Sequence, residues 1–167
     1  MENYKPKYVV DTCSFTALKR IYPVDVFPGV WNFVEDLARD GIIASSEEIY
    51  RELQNVDDEI LVWANSHKTI FLPLDEPIQR KVTEILSASR SLVDFRRRKS
   101  SGDPFLIATA IHHSCSIVTE EKPAGSGSPK QKIPDICKLY RISCVDLLGM
   151  LRKEGLRLDR QRQLHLF

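Results

Sequence analysis

Residues 8–21 read Tyr8-Val9-Val10-Asp11-Thr12-Cys13-Ser14-Phe15-Thr16-Ala17-Leu18-Lys19-Arg20-Ile21, and a change of period inside them decides the fold. Tyr8-Val9-Val10 is a run of β-formers that ends in Asp11, after which Phe15, Leu18 and Ile21 recur at helical spacing. The alternation continues down the chain. Val30, Phe33, Val34 and Leu37 form a helical pattern stopped at Gly41, and Ile42-Ile43-Ala44 reads as a second strand. Ser45 or Ser46 caps a helix through Ile49 and Leu53, and another opens near Asp57 with Ile60, Leu61 and Trp63. Thr69-Ile70-Phe71-Leu72 reads as a third strand, and Pro77 starts a helix through Val82, Ile85 and Leu86. Asp103, as N-cap, and Pro104, at the first helical position, open a helix carrying Phe105, Ile107, Ala108 and Ile111. Ser116-Ile117-Val118-Thr119 is a fourth strand, and the Gly-, Ser-, Pro- and Lys-rich residues 120–132 form a loop. A helix from Pro134, a small strand near 142–144 and a helix through Leu147 and Leu151 complete the pattern.

Strands that alternate with helices pair in parallel, because each parallel connection needs a crossover, and the helices then cover both sheet faces. The expected fold is α/β: one three-layer α/β/α domain over residues 1–155, with a central, mostly parallel sheet of four to five strands. Residues 156–167 read as a polar C-terminal extension. With 43% hydrophobic and 28% charged residues among 167, the chain has the composition of a globular protein. Its formal net charge of +1 excludes a general coat for polyanions, but a sum leaves the placement of 24 basic and 23 acidic residues open. No apolar run approaches the roughly 20 residues that cross a bilayer. The start, Met1-Glu2-Asn3-Tyr4-Lys5, lacks a secretory pattern, and Cys13, Cys115, Cys137 and Cys144 form no CxxC pair. These features imply a reduced, cytoplasmic protein without a membrane role or a structural zinc.

Sites in open α/β sheets form outside the carboxyl ends of the strands. Carboxylates from distant parts of the chain fall there: Asp11 after the first strand, Glu52 on the helix after the second, Asp103 at a helix start, and Glu120-Glu121 after the fourth. Thr12, Ser14 and Thr119 add hydroxyls. Each has a purely structural reading as well. Asp11 and Asp103 suit helix caps, Glu52 suits a solvated helix face, and Glu120 and Glu121 suit a loop. The hydroxyls equally suit local capping. The set, rather than any one member, carries the functional reading.

The same set resembles the signatures of PIN-domain nucleases, of which VapC-type toxins are small members. The resemblance lies in Val9-Val10-Asp11-Thr12-Cys13-Ser14, in the Ser46…Glu52-Leu53 spacing, in Gly102-Asp103-Pro104-Phe105-Leu106-Ile107-Ala108-Thr109-Ala110, and in Ile117-Val118-Thr119-Glu120-Glu121. The motifs stand in family order over residues 7–150. The later Lys132-Ile133-Pro134-Asp135-Ile136-Cys137 resembles an uncharacterised bacterial PIN-like subgroup. The resemblance implies that Asp11, Glu52 and Asp103 are the core acids and Glu121 the fourth, with Asp11, Asp103 and Glu121 binding metal. Glu120 and Asp135 are rivals for the fourth place, since a Glu before a long loop departs from the family pattern. It also implies a metal-dependent ribonuclease that acts as the toxin of a toxin–antitoxin pair, with a protein antitoxin over the cleft and, by family habit, a homodimer.

Carboxylates with no Cys or His partner suit Mg2+ or Mn2+, hard ions that prefer oxygen. Held together, they repel one another until a cation neutralises them. Arg96, Arg97, Arg98 and Lys99, just before Asp103, are the expected RNA-binding cations, although a solvated basic turn explains such a run as well. Two alternatives remain: a PIN-like module that binds or regulates without cleaving, and a haloacid-dehalogenase-like phosphatase. The latter needs a second Asp two residues after the first, where this chain has Cys13.

Overall fold

A computed structural model describes residues 5–55, 58–89, 91–92 and 102–158. The first strand, β1 (Tyr8–Val10), leads into α1 (Thr12–Ile21) and α2 (Pro28–Arg39). Next come β2 (Ile43–Ser46), α3 (Glu47–Leu53), α4 (Asp58–Ser66), β3 (Phe71–Leu72) and α5 (Glu76–Ala88). The second half holds α6 (Asp103–His113), β4 (Ser116–Val118), α7 (Ile133–Tyr140), β5 (Cys144–Val145) and α8 (Leu147–Lys153). The strands form one five-stranded sheet in the order β3-β2-β1-β4-β5, with every pairing parallel. Helices flank it in a three-layer α/β/α arrangement, as the alternation requires.

Register follows from the centre. Tyr8 lies opposite Ile43 on one side and Ser116 on the other, and Val10 lies opposite Val118. Parallel strands covered on both faces need apolar residues throughout, and β1 is buried along its whole length. Over the sheet lies α6, packed against β1, β2 and β4. Its Leu106, Ile107, Ala108, Thr109 and Ala110 are all buried, which marks a helix enclosed on nearly every side. Thr109 fits there because its hydroxyl donates to the Phe105 carbonyl at 2.8 Å.

Boundaries differ from the sequence pattern, and three of the differences have a plain hydrogen-bonding reason. The third strand begins at Phe71, not Thr69, because Ile70 N–H donates to the His67 carbonyl and closes a 3-10 turn over Lys68–Ile70. The second strand extends to Ser46, and Ser45 is accommodated in the core by donating its hydroxyl to the Val10 carbonyl at 2.7 Å. The fifth strand sits at Cys144–Val145, because Ile142 N–H is used by the Cys137 carbonyl to end α7.

Candidate active site

The chain runs from β1 outward through β2 and β3, then crosses back to β4 and β5 on the other side of β1. The crevice beyond the carboxyl ends of β1 and β4 is therefore the topological switch point, where α/β sheets place their ligands. A cleft of about 390 Å³ opens there, and Asp11, Glu52, Asp103, Glu120 and Glu121 all line it. The topology thus gathers five carboxylates drawn from four separate stretches of chain.

Asp11 stands at the N-cap position of α1, yet its side chain caps nothing. Its Oδ2 accepts instead from the Cys13 thiol at 2.7 Å and from the Thr119 hydroxyl at 2.9 Å. Each donor has one hydrogen and spends it on Asp11, so the 3.3 Å approach of Cys13 Sγ to Thr119 Oγ1 is a packing contact. The backbone N–H groups of Glu120 and Glu121 complete the arrangement, donating to Cys13 Sγ and Thr119 Oγ1 at 3.2 Å each. Asp11 Oδ1 has no protein donor among the described residues. Burial is the main cause that pushes the Asp11 carboxyl up to about 6; the two hydrogen bonds oppose it, and the charges of Glu121 and Glu52 add to it. The Cys13 thiol is pushed up to about 12, by burial first and then by the Asp11 charge. It is a hydrogen-bond donor at neutral pH, not a nucleophile.

Glu52 ties two helix starts together. Its Oε2 accepts from the Thr12 hydroxyl at 2.6 Å, and its Oε1 accepts from Gly102 N–H at 2.8 Å. The second contact explains the glycine: a Cβ at 102 would stand 2.8 Å from Ile49 Cδ1 and 3.0 Å from Glu52 Oε1. Gly102 also corrects the expected N-cap of α6. Its carbonyl accepts from Leu106 N–H, so the helix starts one residue earlier than expected and Asp103 is its first residue, with Pro104 second. Asp103 is 7% exposed and lines the cleft, where the positive end of α6 favours its charge.

Glu120 and Glu121 face the same cleft from a loop that they anchor. Glu120 Oε1 accepts from Leu147 N–H at 2.8 Å, and Glu121 Oε2 from Ile133 N–H at 3.0 Å. Asp135, the other rival, does not line the cleft. It closes the start of α7, where Oδ2 accepts from Lys132 N–H at 2.9 Å and from Ala124 N–H at 3.1 Å. Of the three hydroxyls, Thr12 lines the cleft and Thr119 holds Asp11. Ser14 does neither: it is fully buried, away from the cleft, and its hydroxyl has no hydrogen-bond partner among the described residues. Arg96, Arg97, Arg98 and Lys99 lie outside the described residues.

Sequence reasoning missed three contributors. A thiol in sequence suggests zinc or disulfide chemistry, whereas Cys13 serves here as a donor. In sequence Gly102 carries no signal beyond its place in a motif. Arg20 lines the cleft from the far end of α1, and its signal was the Cys13, Thr16, Arg20 spacing, which lies on one helical face. As a donor set, the cleft offers carboxylate oxygens suited to a hard divalent cation, and the acids stand close enough for Glu121 and Glu52 to act on Asp11. Among the described residues no three of them close into a cluster of metal-ligand geometry.

Comparison with known proteins adds a family but no chemistry. The family described as "Domain of unknown function (DUF4411)" matches residues 8–158. No curated protein matches the chain.

Proposed function

We propose, for a chain that belongs to the DUF4411 family, that it is a Mg2+- or Mn2+-dependent ribonuclease that hydrolyses phosphodiester bonds at the switch-point cleft. The observation that carries this reading is the convergence of Asp11, Glu52, Asp103, Glu120 and Glu121 on one cleft, with the Asp11 carboxyl raised by burial first and further by the charges of Glu121 and Glu52. Like charges gathered in one cleft are a cost to the fold, and a cation removes that cost. Asp11, Asp103 and Glu121 would hold the cation once drawn together around it, with Asp11 Oδ1 the oxygen left without a protein donor among the described residues. A divalent ion held by these carboxylates would supply an activated water and offset charge on the phosphate.

The remaining residues position these acids. Thr119 and Cys13 fix the Asp11 carboxylate from one side and leave its second oxygen for the cleft. Thr12 and Gly102 hold both oxygens of Glu52, which sets it at the mouth between α1 and α6. Backbone amides of Leu147 and Ile133 do the same for Glu120 and Glu121. Such pre-ordering matters because hydrolysis needs the water and the leaving oxygen in line.

The motif resemblance to VapC-type toxins supports a role as the toxin of a toxin–antitoxin pair, with a protein antitoxin that covers the cleft and a homodimer as the working form. The test of the chemistry is direct. Labelled single-stranded RNA is incubated with the full chain in Mn2+, in Mg2+ and in EDTA. Cleavage that EDTA abolishes supports the reading, and no cleavage with either metal overturns it. Growth arrest on expression, relieved by Asp11→Asn, tests the toxin role separately.

A further inference from the structure

We infer that Arg20 is a substrate-binding residue, holding a backbone phosphate of the RNA strand beside the one being cut, so that the strand runs along α1; this rests on the nuclease reading above. Arg20 is seven residues beyond Cys13, which places it about 10 Å along the helix axis from the acidic centre. Thr16 and Ala17 occupy the same face between them and line the same cleft. Ala17 is buried and small, and Thr16 turns its hydroxyl to the Thr12 carbonyl at 3.1 Å. The face between the acids and Arg20 therefore carries no charge.

The guanidinium is where a partner is to be expected, and among the described residues it has none. Five carboxylates line this cleft, yet Arg20 makes no ion pair with any carboxylate among the described residues. Its neighbour Lys19 is different, pairing with Glu59 at 3.6 Å. An exposed arginine left unpaired at the rim of an acidic cleft has a clear chemical use. A polyanion entering the cleft meets repulsion from the carboxylates, and a cation at the centre offsets it only locally, since charge effects fade over about 8 Å at physiological salt. A fork of N–H donors two helical turns out supplies attraction where the next part of the strand lies. It matches a phosphate in shape as well as charge. Phosphate contacts carry no base information, so this contact serves all RNA sequences alike.

The test uses the full chain and single-stranded RNA in Mn2+, with initial rates measured over a range of salt. Arg20→Gln raises KM about tenfold and leaves kcat within about twofold, the pattern of lost ground-state binding. The slope of log(kcat/KM) against log salt becomes shallower by about 0.7, the value for one phosphate contact to a single strand. Arg20→Lys retains the salt slope and only part of the affinity, because it keeps the charge and loses the fork. Lys19→Gln leaves KM and slope unchanged. Wild-type cleavage with an unaltered KM and slope in Arg20→Gln overturns the role of Arg20 and leaves the nuclease reading standing. Absence of wild-type cleavage overturns both.

Discussion

Thr119 donates its hydroxyl hydrogen to Asp11 Oδ2 across 2.9 Å, joining residues 108 apart in sequence at the ends of the two parallel strands between which the strand order reverses. This bond sits at the centre of the sheet order, where β1 and β4 are neighbours. It converts a topological feature into a chemical one. The acid that ends β1 is held by the hydroxyl that ends β4, and one of its oxygens is left for the cleft.

The Asp11 carboxyl is costly to ionise in the metal-free protein. It is 5% exposed, and its rise from 3.8 to about 6 corresponds to an upper bound of about 3 kcal/mol at neutral pH. Because the folded value lies above the unfolded one, the contribution to stability is fully present below about pH 4 and is lost as pH rises through about 6. Asp11→Asn is therefore expected to stabilise the metal-free protein at pH 7 by about 1–2 kcal/mol, net of altered hydrogen bonds. Urea unfolding in EDTA at pH 5 and pH 7 checks it. The wild type loses more stability between the two than the variant does.

Cation binding is coupled to the same proton. Since a ligating carboxylate must be ionised, Mn2+ affinity rises with pH up to about 6 and then levels. Calorimetric titration at pH 5 in two buffers of different ionisation heat should show proton release on binding. At pH 7.5 the release should vanish. A binding constant that is flat from pH 5 to 7.5 would contradict the coupling.

Gly102→Ala acts on Glu52 through space. The new methyl meets Ile49 Cδ1 and Glu52 Oε1 at 2.8 and 3.0 Å, so either α6 shifts or Glu52 is displaced from its amide donor. Overpacking of this kind costs about 1–3 kcal/mol. Thermal unfolding should register that loss, and cleavage should fall about tenfold or more because the acid is misplaced. A variant with wild-type rate and melting temperature would show that this packing is slack.

Cys13 should resist alkylation although it borders the cleft. Its thiol is pushed up to about 12, so almost none is thiolate at pH 7.5. Asp11→Asn removes the neighbouring charge that contributes to this shift, so iodoacetamide labelling at Cys13 should speed up in that variant. Peptide mass spectrometry of timed reactions reads both rates. Fast labelling of the wild type would be at odds with the hydrogen bond from Cys13 to Asp11.

The central features of the fold and site were legible because they depend on short-range pattern. Val9 and Val10 ending in Asp11 mark a buried strand and its carboxyl end, and Pro104 with Ile107 and Ala108 marks a buried helix start. What escaped depended on contacts between distant segments. Asp103 reads as a cap in sequence, since nothing local reveals that Gly102 makes a close approach to Glu52 and starts the helix. In sequence Glu121 stands ahead of Asp135 as the fourth acid only by resemblance. Their roles separate only when Asp135 turns to the Lys132 and Ala124 amides while Glu121 stays on the cleft. Ser14 sits between Cys13 and Phe15 in sequence, but the helix turns it into the core. Arg20 needed the axis of α1 to be set against the cleft before its place had meaning.

The most direct measurement compares initial rates of single-stranded RNA cleavage in Mn2+ for wild type, Asp11→Asn, Asp103→Asn and Asp135→Asn at equal, verified fold. Loss of a cation-binding carboxylate removes charge stabilisation made in the transition state, so the first two should fall by about a hundredfold or more. Asp135→Asn, whose carboxylate serves only the start of α7 and the preceding loop, should stay within about threefold of wild type. Cleavage that survives in Asp11→Asn and Asp103→Asn, or that is lost only in Asp135→Asn, would contradict an active site at the switch-point cleft.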